Sequence, residues 1–301
     1  MFHQKTKYFD IILITTHQND VAISDLLKSV DENSKDLSIL IVIVSQGIKV
    51  NFSVKNSFLN LIFIDEARIS LSKARNIALN YVSQNNLSAD YIMFPDDDSS
   101  FDAVFFENFK SIQSSGSNYI TPIYNTGTKD VYLGKKPNDT VVFIRDYNMV
   151  GSPNQIIQYS KFKEFIYFDE ELGVGAKYGS SEDLDLFIRL NLAGAKFIYT
   201  DRIYTYHPKK TDVYKHKSLK EIVSRFRNYS SGFALLIFRY KLYSFIPTYI
   251  FRTFAAFLVF AVRLNFKLSL AYLIQFFVRI QLLWFFWLNN KKSNNNEYSG
   301  N

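Results

Sequence analysis

Cysteine is absent from the 301 residues. That excludes disulfides, thiolate metal sites and a cysteine nucleophile, permits a reducing compartment, and leaves oxygen or imidazole as the ligands for any metal. Proline is scarce, at six residues, and with 48% hydrophobic and 21% charged residues the composition is that of a globular chain. The N-terminal stretch MFHQKTKYFDIILITTHQND holds only a short apolar run and lacks a small-residue cleavage signal. It does not read as a signal peptide, so the body is expected in the cytoplasm. Acidic residues are nearly missing from the last third: residues 202–301 carry 16 Lys and Arg against 3 Asp and Glu. That segment is net +13 within a chain of net +7, which makes residues 1–201 net −6. What the chain has in excess is aromatic, with 29 Phe and 20 Tyr. An acidic body with a basic, aromatic tail points to an anionic membrane or a polyanion as partner of the tail.

The first half alternates in pattern. YFDIILITT, LSILIVIVSQG, LNLIFIDEA and ADYIMFP are short apolar strands, whereas DVAISDLLKSV and SLSKARNIALNYVSQNN have helical spacing, the second with Ser70 or Ser72 as N-cap. This predicts an α/β fold with a mostly parallel sheet and helices on both faces, in which ligands bind beyond the carboxyl ends of the strands. Those ends are Thr15–Thr16, Ser45–Gln46–Gly47, Asp65–Glu66 and Asp96–Asp97–Asp98. Further along, SSEDLDLFIRLNLAG predicts a helix ending at Gly194, with Leu184, Phe187, Ile188 and Leu192 on its apolar face and Ser180 or Ser181 as cap; KFIYT and RIYTYHP are strands. No internal repeat occurs, and the end, NNKKSNNNEYSGN, is expected to be disordered.

Three carboxylates at one strand end repel one another, so water or a cation has to meet their charge. A hard divalent ion, Mg²⁺ or Mn²⁺, whose shell an anionic substrate completes, is one solution; a solvated acidic turn is the other. GVGAKYGSSEDLDLFIRL adds Glu182–Asp183 in the first turn of a helix, where the helix dipole favours carboxylates and where they also serve simply as helix stabilisers. His207 ends a strand in IYTYHP, a position that suits a ligand or a structural imidazole.

Taken in order, the Thr-ended first strand, Arg75 at a helix start, the Asp-x-Asp after a strand, the Glu-Asp helix start and the downstream His resemble the family 2 glycosyltransferases of the GT-A fold. The resemblance spans roughly residues 8–210, and SLSKARNIALN, MFPDDDS and GVGAKYGSSEDLDLFIRLNLAGAKFIY carry most of it. It implies a Rossmann-like nucleotide-diphospho-sugar transferase with a divalent metal. Thr15 and Thr16 would lie against base and ribose, and Arg75 would approach the nucleotide or its phosphates. Asp98 would bind the metal, with Asp96 facing the ribose or a metal-bound water, Asp97 orienting its neighbours and His207 as a further metal ligand. Asp183, or Glu182 as second choice, fills the place of the general base. Many relatives read uracil with an acid at the end of the second strand; this chain has Ser45–Gln46–Gly47 there, so Gln46 becomes the amide reader and the case for a UDP-sugar weakens. The implied reaction is an inverting transfer to a hydroxyl of a glycan or polyprenyl-diphosphate-linked acceptor in bacterial surface polysaccharide synthesis, with Gly173, Gly175 and Gly179 letting a loop close over the substrates. Two rival readings are a haloacid-dehalogenase-type phosphatase and a sugar-nucleotide-binding scaffold. The phosphatases usually place their Asp-x-Asp on the first strand, followed by Thr or Val rather than by Ser99–Ser100.

The expected layout is a catalytic domain over 1–215, a basic, aromatic, helical membrane-association region over 216–290 and a disordered tail over 291–301. The run between Arg252 and Arg263 is too short to span a bilayer, and 268–288 is long enough but contains Arg279. On one continuous helix Arg252, Arg263 and Lys267 share a face, as in a basic amphipathic helix lying in an anionic membrane interface with Trp284 and Trp287 as anchors. A helical core or a homodimer interface is the other use for such a face. Nucleic acid is not expected, since no pattern of an OB, RRM or helix-turn-helix module is present. The expected location is the cytoplasmic face of the cell membrane, peripheral or monotopic.

Overall fold

The computed structural model describes residues 6–298 apart from 19, 48, 129, 132–134, 209–213 and 215, and the backbone alone at 20–22 and 291–298. The chain forms two compact units, Met1–Asp169 with Asp183–Lys209, and Glu170–Glu182 with Lys210–Asn301. Residues 170–182, read from the sequence as part of the catalytic domain, thus group with the C-terminal helices.

In the first unit, β1 (Lys7–His17), β2 (Ile39–Gln46) and β3 (Leu59–Glu66) are parallel neighbours, with α1 (Asp20–Asn33) between the first two. The unbroken β-branched run of β2 is buried at every position, as expected of a strand covered on both faces. α2 (Leu71–Gln84) leads to β4 (Leu87–Met93), which pairs parallel with the other side of β1. The strand order therefore reverses between β1 and β4, and their carboxyl ends flank the crevice where open α/β sheets take ligands. α3 (Ala103–Gln113) is capped by Asp102, whose Oδ1 accepts from the Phe105 N–H at 3.1 Å, and it plants Phe105, Phe106 and Phe109 in the core with Ile11, Leu13 and Ile41.

Shorter strands complete the sheet: β5 (Asn118–Ile120), β6 (Ile123–Asn125), β7 (Thr140–Val142), β8 (Gln155–Gln158), β9 (Phe197–Tyr199) and β10 (Thr205–His207), with α4 (Tyr159–Phe162) after β8 and α5 (Glu182–Leu192) before β9. The main sheet runs β3-β2-β1-β4-β8-β5-β9-β7, with the β4–β8, β5–β8 and β7–β9 pairings antiparallel; β6 and β10 form a separate parallel pair. The sheet is thus mixed and mostly parallel, as predicted. In α5, Leu184, Phe187 and Ile188 are buried, but Leu192 is 69% exposed, and Leu186 and Leu190 are buried instead. The buried stripe is wider than one amphipathic face and stops short of the last turn.

The second unit is built from α6 (Leu219–Arg239), α7 (Ile246–Val262) and α8 (Phe266–Tyr298), with α8 packed on both partners. Ala234, Ile237, Tyr249 and Phe286 form one small core, and Ile222, Phe226 and Ala271 another. The expectation that Arg252, Arg263 and Lys267 share one helical face is corrected: α7 ends at Val262, Leu264 takes φ +55°, and α8 begins at Phe266. The Asn- and Ser-rich end continues α8 as far as Tyr298, and residues 299–301 lie outside the described ones. Tyr243–Val262 and Phe266–Asn290 are long and apolar enough to cross a membrane, and only 11% and 17% of their most apolar windows are buried. Arg279, the charge within the second stretch, turns inward. Its Nε donates to Ser230 Oγ at 3.3 Å, its Nη1 donates to the Tyr249 carbonyl, and the guanidinium lies over the Tyr249 ring.

Candidate active site

The site begins where β1 ends. Register pairs Thr15 with Ile43 and His17 with Ser45, and the His17 Nε2 lies 2.9 Å from Ser45 Oγ in a buried contact. Thr15 is fully buried, and its Oγ1 has no hydrogen-bond partner among the described residues; Thr16 is half-buried. Gln46 is nearly buried at the end of β2. Its Oε1 accepts from the Ile69 N–H at 3.0 Å and from Gln18 Nε2 at 3.4 Å, so the oxygen that would read a base instead ties down the loop leading into α2. His17 was not singled out in the sequence, although it directly follows the Thr15–Thr16 pair.

Beyond β4 the chain turns sharply, the Ser99 N–H donating to the Asp96 carbonyl at 3.0 Å. Ser100 then pairs with Tyr206, its N–H donating to the Tyr206 carbonyl at 3.0 Å and the Tyr206 N–H returning a bond at 2.9 Å. That antiparallel bridge sets the end of β10 beside the aspartates. As a result His207 Nε2 lies 3.0 Å from Asp98 Oδ1 and 3.7 Å from Asp96 Oδ2. Tyr204 and Tyr206 brace the same turn by donating their hydroxyls to Asp102 Oδ2 at 3.0 and 3.2 Å.

The His207 tautomer follows from its other nitrogen. Nδ1 lies 2.9 Å from the Pro208 carbonyl, which can only accept, so Nδ1 carries a proton and Nε2 is the nitrogen that faces the two carboxylates, donating to them when protonated and offering its lone pair to a cation when not. Two carboxylate oxygens and an imidazole nitrogen, all within 4.8 Å of one another, are a donor set in which only a proton or a cation relieves the repulsion. Oxygen-rich sets with one imidazole suit Mg²⁺ or Mn²⁺, so the residues fit the metal implied by the sequence. Asp97 does not join the group. Burial, then the charges of Asp98 and Asp96, push its carboxyl up to about 6.

Arg75, one turn into α2, is 1% exposed. Its guanidinium lies 5.0 Å from the Phe168 ring centroid and 6.0 Å from that of Phe94, and Nη2 reaches Asp96 Oδ1 at 3.5 Å. Asn76 fixes the lid of this sandwich: Nδ2 donates to the Phe168 carbonyl and Oδ1 accepts from the Phe168 N–H, both at 2.8 Å. Ser70 occupies the N-cap position of α2 but makes no side-chain cap bond.

Asp183 is partly exposed. Burial of its carboxyl raises the pKa, the Asp96 charge adds to the rise, and the Leu184 N–H at 2.8 Å and the Arg75 charge oppose it. Its carbonyl accepts from Gln155 Nε2 of β8 at 3.1 Å, anchoring the start of α5 to the sheet. Glu182, the first residue of the same helix, is buried.

No protein-family model and no curated protein matches the sequence. Among solved structures, the chain superposes on S. aureus TarS 1–349 in complex with UDP-GlcNAc with a TM-score of 0.52 and 17% identity, covering 75% of this chain and 66% of that one. The complex of TarS 1–349 with UDP gives 0.52 and 14%, over 91% and 90% of the two chains. Against a longer TarS chain the match spans less than half, 43%. The fold is the GT-A fold. Open α/β sheets take ligands at a switch point such as that between β1 and β4, and Thr16, Asp96 and Asp98 lie at or beyond the carboxyl ends of the two strands that flank it, with Thr15 buried beneath.

Proposed function

We propose that the chain is an inverting, metal-dependent glycosyltransferase that moves a sugar from a nucleotide-diphosphate donor, a UDP-sugar first among them, to a hydroxyl of a glycan or lipid-linked acceptor in surface polysaccharide synthesis. The observation that carries this reading is the convergence of Asp96, Asp98 and His207 at the sheet's switch point, with Asp183 and Arg75 coupled electrostatically to Asp96. The TarS structures that share the fold hold UDP-GlcNAc and UDP, which supports a uridine donor despite the Gln46 departure.

Asp98, His207 and Asp96 would hold a divalent cation, which when bound would supply positive charge for the departing diphosphate. Thr15 and Thr16 hold the base and ribose, and Arg75 keeps Asp96 in place while adding positive charge near the phosphates. Asp183 accepts the proton of the acceptor hydroxyl as that oxygen bonds the anomeric carbon. The bond from this carbon to the diphosphate oxygen breaks, its electron pair leaves with the nucleotide, and the configuration inverts. General-base assistance of this kind contributes ~10²–10⁴-fold, and the raised pKa of Asp183 makes it a stronger base than an exposed carboxylate. The exposed apolar surfaces of α7 and α8 support association with the cytoplasmic face of a membrane, where a lipid-linked acceptor would be met.

Thermal melts of the whole chain with a panel of nucleotide sugars, with and without Mn²⁺, test this directly, because a ligand that binds only the folded state raises its melting temperature. A rise that needs both a nucleotide sugar and Mn²⁺ is expected. No rise with any of them sinks the donor assignment.

A further inference from the structure

The second unit contains a cleft of about 830 Å³ that lies wholly within it, between the loop Val174–Gly179 and one face of α6. Its volume is that of a ligand site rather than of a packing defect. The α6 face is polar and basic at helical spacing, with Lys220, Ser224 and Asn228 one turn apart and Arg225 beside them, and Lys217 stands just before the helix. Glu221 is the sole acid among the described lining residues, and it is held in place by the start of the helix. Its Oε2 accepts from the Ser218 N–H and hydroxyl, both at 2.7 Å, in the capping box of α6, and these bonds lower its pKa.

The loop wall of the cleft packs closely on α6. A Cβ built at Gly179 would meet Asn228 Cβ at 2.7 Å, and one at Gly232 would meet the Ser180 carbonyl oxygen at 2.1 Å. Ser180 Oγ donates to the Tyr229 carbonyl at 2.8 Å. The loop is therefore seated on α6 by two side-chain-free contacts; Gly179 acts as a packing point, whereas Gly173 and Gly175, at φ +98° and +80°, shape the turn. Arg225 is oriented in advance. Its guanidinium lies 5.2 Å from the Tyr229 ring centroid, its Nη2 donates to the Tyr229 hydroxyl at 3.1 Å, and its buried Nε has no hydrogen-bond partner among the described residues.

We infer that this cleft binds a diphosphate group, that of the lipid-linked acceptor. Three cations against the single carboxylate of Glu221 match a group carrying several negative charges better than they match a lone carboxylate, and a pre-oriented guanidinium fork suits phosphate oxygens. The loop that forms one wall runs in sequence straight into Glu182 and Asp183, so occupancy of the cleft would be felt at the start of α5. The identification of the ligand as the acceptor rests on the glycosyltransferase reading; the phosphate chemistry of the cleft does not.

The test uses the full chain in phosphatidylcholine nanodiscs, containing a polyprenyl diphosphate, phosphatidylglycerol at equal mole fraction, or neither. Binding is compared between the parent chain, the Lys217→Gln/Lys220→Gln double variant and a triple variant that adds Arg225→Gln. The double variant leaves the Arg225–Tyr229 packing untouched, so that misfolding cannot mimic the effect. The expected result is loss of polyprenyl diphosphate affinity, on the order of 100-fold in the triple variant and less in the double, with unaltered melting temperature in the double. Unchanged affinity in the triple variant overturns the proposal, as does equal, equally charge-sensitive binding of phosphatidylglycerol. If the cleft binds the diphosphate but no nucleotide sugar shifts the melting temperature of the parent, the glycosyltransferase reading fails and the cleft stands.

Discussion

His207 and Asp98 meet at 3.0 Å, Nε2 to Oδ1, although a long stretch of chain separates them, because the Ser100–Tyr206 bridge lays β10 against the turn that follows β4. With Nδ1 committed to the Pro208 carbonyl, Nε2 is the ring nitrogen turned toward the carboxylates. The proposed cation therefore loses a ligand, not merely a neighbour, in His207→Ala. Changes outside the ligand shell commonly cost roughly 10–100-fold in metal affinity, and this one should cost no less. Calorimetric titration with Mn²⁺ reads it; full affinity in the variant would remove His207 from the site.

Asp183 yields a prediction in which stability and activity move in opposite directions. Its folded-state pKa lies above the ordinary 3.8, chiefly through burial. The carboxyl's contribution to stability is then fully present below that ordinary value and is lost as pH rises through the folded-state value. As pH rises above the ordinary value, the native state thus pays progressively for ionising a carboxylate that burial disfavours. Asp183→Asn removes that cost while its Oδ1 still accepts from the Leu184 N–H. The variant should lose transfer by ~10²–10⁴-fold, retain the donor-dependent thermal shift, and melt at or above the parent near neutral pH, the gap narrowing as pH is lowered toward the ordinary carboxylate range. A variant clearly less stable at neutral pH would mean that Arg75 overcompensates the burial.

Much of this architecture was legible in the sequence for identifiable reasons. LSILIVIVSQG could only be a doubly covered strand, and an apolar strand running through Pro95 into three aspartates placed Asp96 and Asp98 at a strand's carboxyl end. His207 was reachable through the family resemblance alone, since the bridge to Ser100 leaves no periodic trace. The inward turn of Arg279 onto Tyr249 and Ser230 is a tertiary event that no helical wheel of α8 contains. The break between α7 and α8 has one local signal in the sequence. Asn265 caps α8, its Oδ1 accepting from the Leu268 N–H at 3.2 Å, but the apolar residues on either side gave the appearance of one continuous helix, and neither Gly nor Pro marks the left-handed Leu264.

Gly232→Ala should weaken the second unit selectively. The added methyl would stand 2.1 Å from a backbone oxygen, that of Ser180, which cannot swing aside as a side-chain end could. Overpacking of this kind costs about 1–3 kcal/mol. Both tryptophans, Trp284 and Trp287, lie on α8 of that unit, so intrinsic tryptophan fluorescence during urea denaturation reports on it alone. The midpoint should fall, while circular dichroism shows the sheet-rich unit unfolding later. Coincident transitions would show that the two units unfold as one.

The apolar faces of α7 and α8 set the final prediction. Phe251 is 65% exposed and Trp284 is 64% exposed. A buried side chain of this size contributes about 1.5–3 kcal/mol when taken out of water, so each one inserted at a membrane interface should be worth roughly tenfold or more in binding. Because Arg279 is engaged inside the unit, no charge from the middle of α8 has to enter the lipid with them. Phe251→Ser/Trp284→Ser should therefore cut flotation with anionic vesicles by about a hundredfold or more and leave Mn²⁺ binding at Asp98 and His207 intact. If flotation survives the double change but gel filtration shows a dimer falling to monomer, the exposed face serves a second copy of the chain rather than a bilayer.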